Sequence, residues 1–245
     1  MLPWRIRDFD AVLVDLDGTL VDTLDDFVAA LQATLALLPP PFSDYRATRE
    51  HVQHMIGKGS EHLVYSVLDA ALAAAAATPG AAQRAAAPAV AADAAVRALA
   101  VKHYLEQYAQ VNGRAATVYP GVREGLQQLR AAGLRLACVT NKPTVYARAL
   151  LQSMDLAAAF ELVVGGDATE RKKPAADPLL WACQHMKLVP QRTLMVGDSS
   201  NDAQAARAAH CPVLLVTYGY NHGLDVRQAD ADAWVNRLDE LDWAT

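Results

Sequence analysis

Two carboxylates, Asp15 and Asp17, stand two residues apart in the run Asp15-Leu16-Asp17-Gly18-Thr19-Leu20. Such a pair can divide the work of a nucleophile from that of a proton carrier, and it can also hold a hard divalent cation. The apolar stretch Ala11 to Val14 just before it reads as a buried strand. The pair then falls at a strand's carboxyl end, where open parallel sheets place their ligands. Gly18 permits a tight turn there, and Thr19 brings a hydroxyl and a backbone N–H. An Asp-x-Asp pair alone is as readily a surface loop. Three later constellations argue for chemistry.

The first is Ala137-Cys138-Val139-Thr140-Asn141-Lys142-Pro143, which puts polar groups directly after a second apolar run. Thr140 and the N–H groups that follow it suit an oxyanion, and Thr144 is placed to cap the next helix. The second is Arg171-Lys172-Lys173-Pro174. A proline restrains the residue before it to extended backbone, so a lysine here can be held as a point charge toward phosphate. These residues alone do not choose which lysine. The third is Leu194-Met195-Val196-Gly197-Asp198, with Asp202 four residues on at a helix start. If Asp198 reaches Asp15, the sheet edge gathers carboxylates that repel one another. A divalent cation and a nearby lysine relieve that repulsion. Mg²⁺ suits an all-oxygen donor set, and no Cys/His cluster has zinc-site spacing.

These residues need elements to position them. From about Asp22, Leu24, Phe27, Val28, Leu31 and Leu35 recur at helical spacing until Pro39-Pro40-Pro41. His51 to Leu72 continues as helix, interrupted by Gly57-Lys58-Gly59. Of the 31 residues from 70 to 100, 19 are alanine, and Pro79-Gly80 and Pro88 divide that stretch. Helical spacing returns from Val96 to Tyr108. After Tyr119-Pro120-Gly121 the texture alternates. Strands are predicted at 134–139, 160–164, 193–196 and 213–216, and helices at 122–132, 143–152, 177–186 and 202–209. This rhythm predicts an α/β fold, a Rossmann-like and mostly parallel sheet core with an inserted alpha-helical cap domain. The expected division is a core of residues 1–20 plus 113–245 and a cap of residues 21–112. A ligand cleft is expected between them.

The chain has 245 residues, 53% of them hydrophobic and 20% charged, with a net charge of −5. No basic footprint points to nucleic acid. Cys138, Cys183 and Cys211 do not make a disulfide framework. No signal-peptide core follows Met1, and no apolar run is long enough for a bilayer. A cytoplasmic protein without membrane partners is expected; monomer and homodimer stay open.

The combination of Asp15-x-Asp17-Gly18-Thr19, Thr140, Lys173-Pro174 and Gly197-Asp198-x-x-x-Asp202 resembles the haloacid dehalogenase-like hydrolase superfamily. Val21-Asp22-Thr23, Tyr119-Pro120-Gly121-Val122, Thr140-Asn141-Lys142, Gly165-Gly166-Asp167, Asp177-Pro178-Leu179 and Tyr218-Gly219-Tyr220-Asn221 resemble its phosphoglycolate phosphatase branch. The resemblance implies a nucleophilic Asp15, an acid/base Asp17, and Mg²⁺ on Asp15, Asp198 and the Asp17 backbone carbonyl. It implies that Thr140 and Lys173 hold the phosphoryl oxygens and that Asp202 supports the metal site. The N–H groups of Gly18 and Thr19 would also face phosphate, beside Asn141. A true dehalogenase lacks an acid/base Asp at the position of Asp17. Gly57-Lys58-Gly59-Ser60 is similar to a Gly-x-Gly loop of phosphoglycolate phosphatase caps, so Lys58, Gly59 and Ser60 are expected to touch a substrate carboxylate. Two places depart from the pattern: Ala175-Ala176, where His and Pro usually follow, and His210-Cys211, where a Gly-rich turn is usual. The implied activity is Mg²⁺-dependent hydrolysis of a small anionic phosphate ester, first 2-phosphoglycolate, giving glycolate and phosphate. A sugar phosphate such as N-acetylmuramic acid 6-phosphate and a phosphosugar mutase are the enzymatic alternatives. A non-enzymatic binding protein would be expected to lack one of Asp15, Asp17, Lys173 or Asp198.

Overall fold

Val12 and Val14 of the first strand pack into one apolar cluster and Leu13 into another, as the two-residue period of a strand requires. A computed structural model, which describes residues 4–77 and 94–240, shows how the chain covers both faces. It runs β1 (Ala11–Val14), β2 (Val21–Asp22), α1 (Leu24–Ala36), α2 (Arg49–Met55), α3 (Ser60–Ala76) and α4 (Ala94–Val111). It continues β3 (Thr117–Val118), α5 (Val122–Ala131), β4 (Arg135–Val139), α6 (Thr144–Ser153), β5 (Leu162–Val164) and α7 (Asp177–Met186). It ends β6 (Thr193–Gly197), α8 (Ser200–Ala209), β7 (Val213–Val216) and β8 (Ala233–Val235).

Six strands form one sheet in the order β5-β4-β1-β6-β7-β8, and each adjacent pair is parallel. On one face Val122, Leu126 and Leu129 of α5 and Leu150 of α6 pack against it. On the other face lie Leu179 and Ala182 of α7 and Ala203 and Ala206 of α8. Burial on both faces explains the short, uniformly apolar strands. From β1 the sheet extends both ways, so β1 lies between β4 and β6, with Val14 beside both Cys138 and Val196. That is a topological switch point, whose crevice opens beyond the carboxyl ends of the strands. Asp15, Thr140 and Asp198 are the residues that follow β1, β4 and β6 there.

The four helices α1 to α4 share a third apolar cluster, with Leu31, Leu35, Phe42, Leu68, Tyr104 and Tyr108 fully buried in it. The chain leaves the sheet through β2 and returns through β3, and these pair antiparallel with Val21 opposite Val118. Asp26 of α1 fastens this passage by accepting the N–H of Gly113 at 2.6 Å and of Ala115 at 2.8 Å. The stretch containing Pro79, Gly80 and Pro88 lies outside the described residues. Among the described residues, no helix is long and apolar enough to cross a membrane. Cys138, Cys183 and Cys211 are all free and buried.

Three local expectations need correction. Thr144 does not cap α6; it is the first helical residue, and its N–H and hydroxyl donate to Asp167 Oδ1 at 2.8 and 2.5 Å. The cap is supplied across space by Asp167. The strand expected at 160–164 shortens to β5, because residues 157–159 form a 3₁₀ turn before it. β8 was not expected, since Ala233-Trp234-Val235 is too short to show a period. It becomes a strand by pairing with the open edge of β7.

His210 closes α8 in the left-handed conformation, at φ 60°, where a glycine is usual. It is exposed, so a substitution there leaves the core intact. His210→Gly is therefore expected to raise unfolding stability by about 0.5–1 kcal/mol in urea denaturation, by removing a Cβ clash. Unchanged or lowered stability would contradict that explanation.

Candidate active site

At the switch point, Lys173 is almost completely buried and its Nζ lies 2.7 Å from both Asp15 Oδ1 and Asp202 Oδ1. It also donates to the Val139 carbonyl at 2.8 Å. Those three acceptors come from the end of β1, the start of α8 and the last residue of β4, so one ammonium joins three segments. Asn141 holds the lysine's own backbone. Its Oδ1 accepts the Lys173 N–H at 3.0 Å, and its Nδ2 donates to the Lys173 carbonyl at 2.8 Å.

Asp198 is carried in by β6 and is buried beside this pair. Its Oδ1 accepts from the Thr19 hydroxyl at 3.2 Å, and its Oδ2 accepts from the Tyr220 N–H at 2.7 Å. Gly18, at φ 87°, passes so close that a Cβ would lie 2.5 Å from Asp198 Oδ2. Gly197 is equally constrained, since its Cβ would meet Asp202 Cγ at 2.3 Å. Asp202 Oδ2 accepts from the Ser199 hydroxyl and N–H at 2.7 and 3.1 Å, which fastens the start of α8.

Asp15, Asp198 and Asp202 each offer a carboxylate oxygen, and these lie within 4.8 Å of one another. Against three buried carboxylates stands one ammonium. Burial, helped by the charges of Asp202 and Asp17 and opposed by Lys173, pushes the Asp15 carboxyl up to about 7. Burial, with Asp202 and Asp15 next, pushes Asp198 well above the ordinary carboxylate range. Burial alone would lower Lys173, but Asp15 and Asp202 outweigh it and hold the ammonium firmly protonated. A hard divalent cation fits this site: the donors are all oxygen, and their charge excess is what such an ion neutralises. Asp202 accepts from Lys173, from the Ser199 hydroxyl and N–H and from the Asp198 N–H, four donors against two on Asp198 and the one lysine on Asp15, so Asp15 and Asp198 are the better direct ligands.

Asp17 stands apart from this cluster. Its Oδ1 accepts from the Thr23 hydroxyl at 2.7 Å and from Lys142 Nζ at 2.5 Å. The Lys142 side chain is only 2% exposed and lies over the rings of Phe27 and Tyr108, 4.7 and 5.0 Å from their centroids. The two acids thus have separate lysines. Together they line a cleft of about 650 Å³, counted to its open mouth, with Thr140 at its base. Phe27, Ile56, Leu63, Tyr104 and Tyr108 of the helical part form its apolar roof. The Gly57 carbonyl accepts from Asn141 Nδ2 at 2.8 Å and from Asn201 Nδ2 at 3.2 Å, which holds that roof against the sheet.

Three expected ligand contacts are placed otherwise. The Gly18 and Thr19 N–H groups donate to the carbonyls of Val21 and Leu16, so these residues position Asp198 and do not face the cleft. The side chain of Asn141 is spent on Gly57 and Lys173, although the residue lines the cleft. Lys58 is exposed and outside the cleft lining, whereas Gly59 and Ser60 are part of it. Lys58 instead lies near His62 and His222, adding to the burial that lowers both. Lys142, Tyr108 and Tyr220 were missed as site residues. Lys142 and Tyr220 sat inside quoted motifs, and Tyr108 read only as a helix core position.

A family model for haloacid dehalogenase-like hydrolases matches residues 12–216. A phosphoglycolate phosphatase of Nitrosospira multiformis is 41% identical over 230 residues, covering 94% of this chain and 92% of that one. One from Escherichia coli K12 is 38% identical over 229 residues, covering 92% and 89%. The crystal structure of a predicted phosphoglycolate phosphatase from Haemophilus somnus superposes with a TM-score of 0.82 at 29% identity, over 95% and 96% of the two chains.

The raised carboxyls give a linkage prediction. A carboxyl raised from 3.8 to about 7 stabilises the metal-free fold at low pH and loses that contribution as pH rises through about 7. Cation binding needs the ionised forms, so it strengthens over the same range. A fixed Mg²⁺ concentration, about 100 times its Kd at pH 8, should raise Tm by about 5 °C or more at pH 8, and by less than half of that at pH 5.5, where the Kd is weaker. A shift that is equal at both values, or absent, would contradict the assignment.

Proposed function

The chain belongs to the haloacid dehalogenase-like hydrolase family, and from that premise we propose that it is a Mg²⁺-dependent phosphomonoesterase acting on 2-phosphoglycolate. The observation that carries this reading is the division of the acids. Asp15 shares Lys173 with a cluster fit for a cation, while Asp17 stands two residues away on Lys142. In this reading residues 1–20 and 113–245 are the hydrolytic core, and residues 21–112 are the cap. The names of the relatives from Nitrosospira multiformis and Escherichia coli support the substrate.

Asp15 Oδ attacks phosphorus, and the bond from phosphorus to the ester oxygen breaks. Asp17 gives its proton to the departing alkoxide, so that glycolate leaves. The resulting carboxylate of Asp17 then takes a proton from water, which attacks phosphorus and frees Asp15 with release of phosphate. Lys173 and Thr140 bind the oxygens of the transferring group, where charge is spread in the transition state. Asp15, Asp198 and the Asp17 backbone carbonyl would hold Mg²⁺, with Asp202 supporting them. That ion supplies charge neutralisation between nucleophile and phosphoryl oxygens. The apolar roof keeps bulk water from the aspartyl-phosphate until a positioned water enters.

A screen of small phosphate esters with Mg²⁺ tests this. 2-Phosphoglycolate is expected to have the highest kcat/KM, and Asp15→Asn should lower it by about 10⁴-fold or more while the fold persists. No turnover of any ester with Mg²⁺ present, or normal turnover by Asp15→Asn, would overturn the reading.

A further inference from the structure

The Tyr108 hydroxyl is buried in the cleft wall and has no hydrogen-bond partner. Buried hydroxyls are nearly always paired, because their desolvation is otherwise uncompensated. One left unpaired on a residue that lines a ligand cleft is open to pairing with a ligand there. The ring is fixed in place. It stacks on Phe27 at 5.3 Å and on Tyr104 at 5.6 Å, and meets Tyr146 edge-on at 5.4 Å. Lys142 Nζ lies 5.0 Å from the same ring's centroid. An ammonium has three donors, and Asp17 Oδ1 takes one of those on Lys142. An unpaired hydroxyl and a buried cation therefore share one end of the cleft.

That end is the Asp17 end. Lys173 serves Asp15 and Asp202, where the phosphoryl group would sit. The atoms attached to the ester oxygen must then extend past Asp17, toward Lys142 and Tyr108. Resting on the phosphatase reading above, we propose that Tyr108 and Lys142 together bind a carboxylate of the leaving group and select short anionic esters over neutral ones. The Tyr108 hydroxyl acts as donor and the ammonium as counter-charge. Burial, and next the charge of Asp17, keep that phenol protonated at neutral pH. The exposed Lys58 has no part in this contact. The roof of Phe27 and Leu63 offers neutral hydroxylated leaving groups no comparable pairing.

Binding of two inert phosphonates to the full chain with Mg²⁺, followed by calorimetry, tests this without turnover. 3-Phosphonopropionate carries the carboxylate, and propylphosphonate has a methyl in its place. The unaltered protein should bind the first at least about tenfold more tightly, and Tyr108→Phe should narrow that ratio to within about threefold by weakening the first alone. Lys142→Gln provides the same comparison independently and should narrow the ratio in the same way. Equal weakening of both ligands in Tyr108→Phe would make the residue structural and overturn the proposal. So would equal binding of the two by the unaltered protein. If neither phosphonate binds while phosphate esters are turned over, this proposal falls and the phosphatase reading stands; if no ester is turned over, both fall.

Discussion

Lys173 reaches Asp15 and Asp202 at the same distance, 2.7 Å, with almost no solvent around it. Several buried carboxylates would be untenable at one sheet edge without that ammonium, because each ionised acid disfavours the others. The rest of the site follows from holding it. Asn141 grips the lysine backbone from the turn after β4, Val139 accepts a third bond, and Ser199 anchors Asp202. The compensation is partial: one positive charge leaves Asp15 and Asp198 raised, so the protein's own groups leave a deficit of positive charge that a cation would fill.

The same network ties chemistry to the helical roof. Asn141 and Asn201 both donate to the Gly57 carbonyl, so the residue that positions Lys173 also closes the cleft. Tyr220 makes a second tie. Its N–H donates to Asp198, its hydroxyl donates to Asp22 and accepts from the Thr23 N–H, and its ring is buried among the roof helices. Thr23 in turn donates to Asp17. The contacts that seat the roof on the sheet are therefore the same ones that hold both acids.

Much of the sheet was legible because its strands are apolar runs that stop at polar residues. The ends of β1, β4 and β6 could be marked at Asp15, Thr140 and Asp198 before any geometry was known. Lys173 was different: the basic run offered two lysines, and the resemblance, not the residues, singled out the second. The parts that could not be read depend on contacts far apart in sequence. Asp167 caps α6 from 23 residues away, and β8 exists because β7 leaves an edge to pair. Lys142 faces Asp17 across 125 residues, and Tyr108 joins them only when α4 folds over the sheet. A local rule favoured Lys58, a cation between two glycines, but the turn leaves it facing outward. Gly18 and Thr19 were recognisable as special, yet their task is to seat Asp198.

The central claim is that Asp15 forms a covalent bond to phosphorus before water does. The stereochemical course at phosphorus tests it directly and does not require the intermediate to accumulate. An isotopically chiral thiophosphate ester would be hydrolysed in labelled water with Mg²⁺, and the configuration of the product read by phosphorus NMR. Two in-line displacements, first by Asp15 and then by water, predict net retention. Net inversion would mean a single attack by water, and would contradict the account.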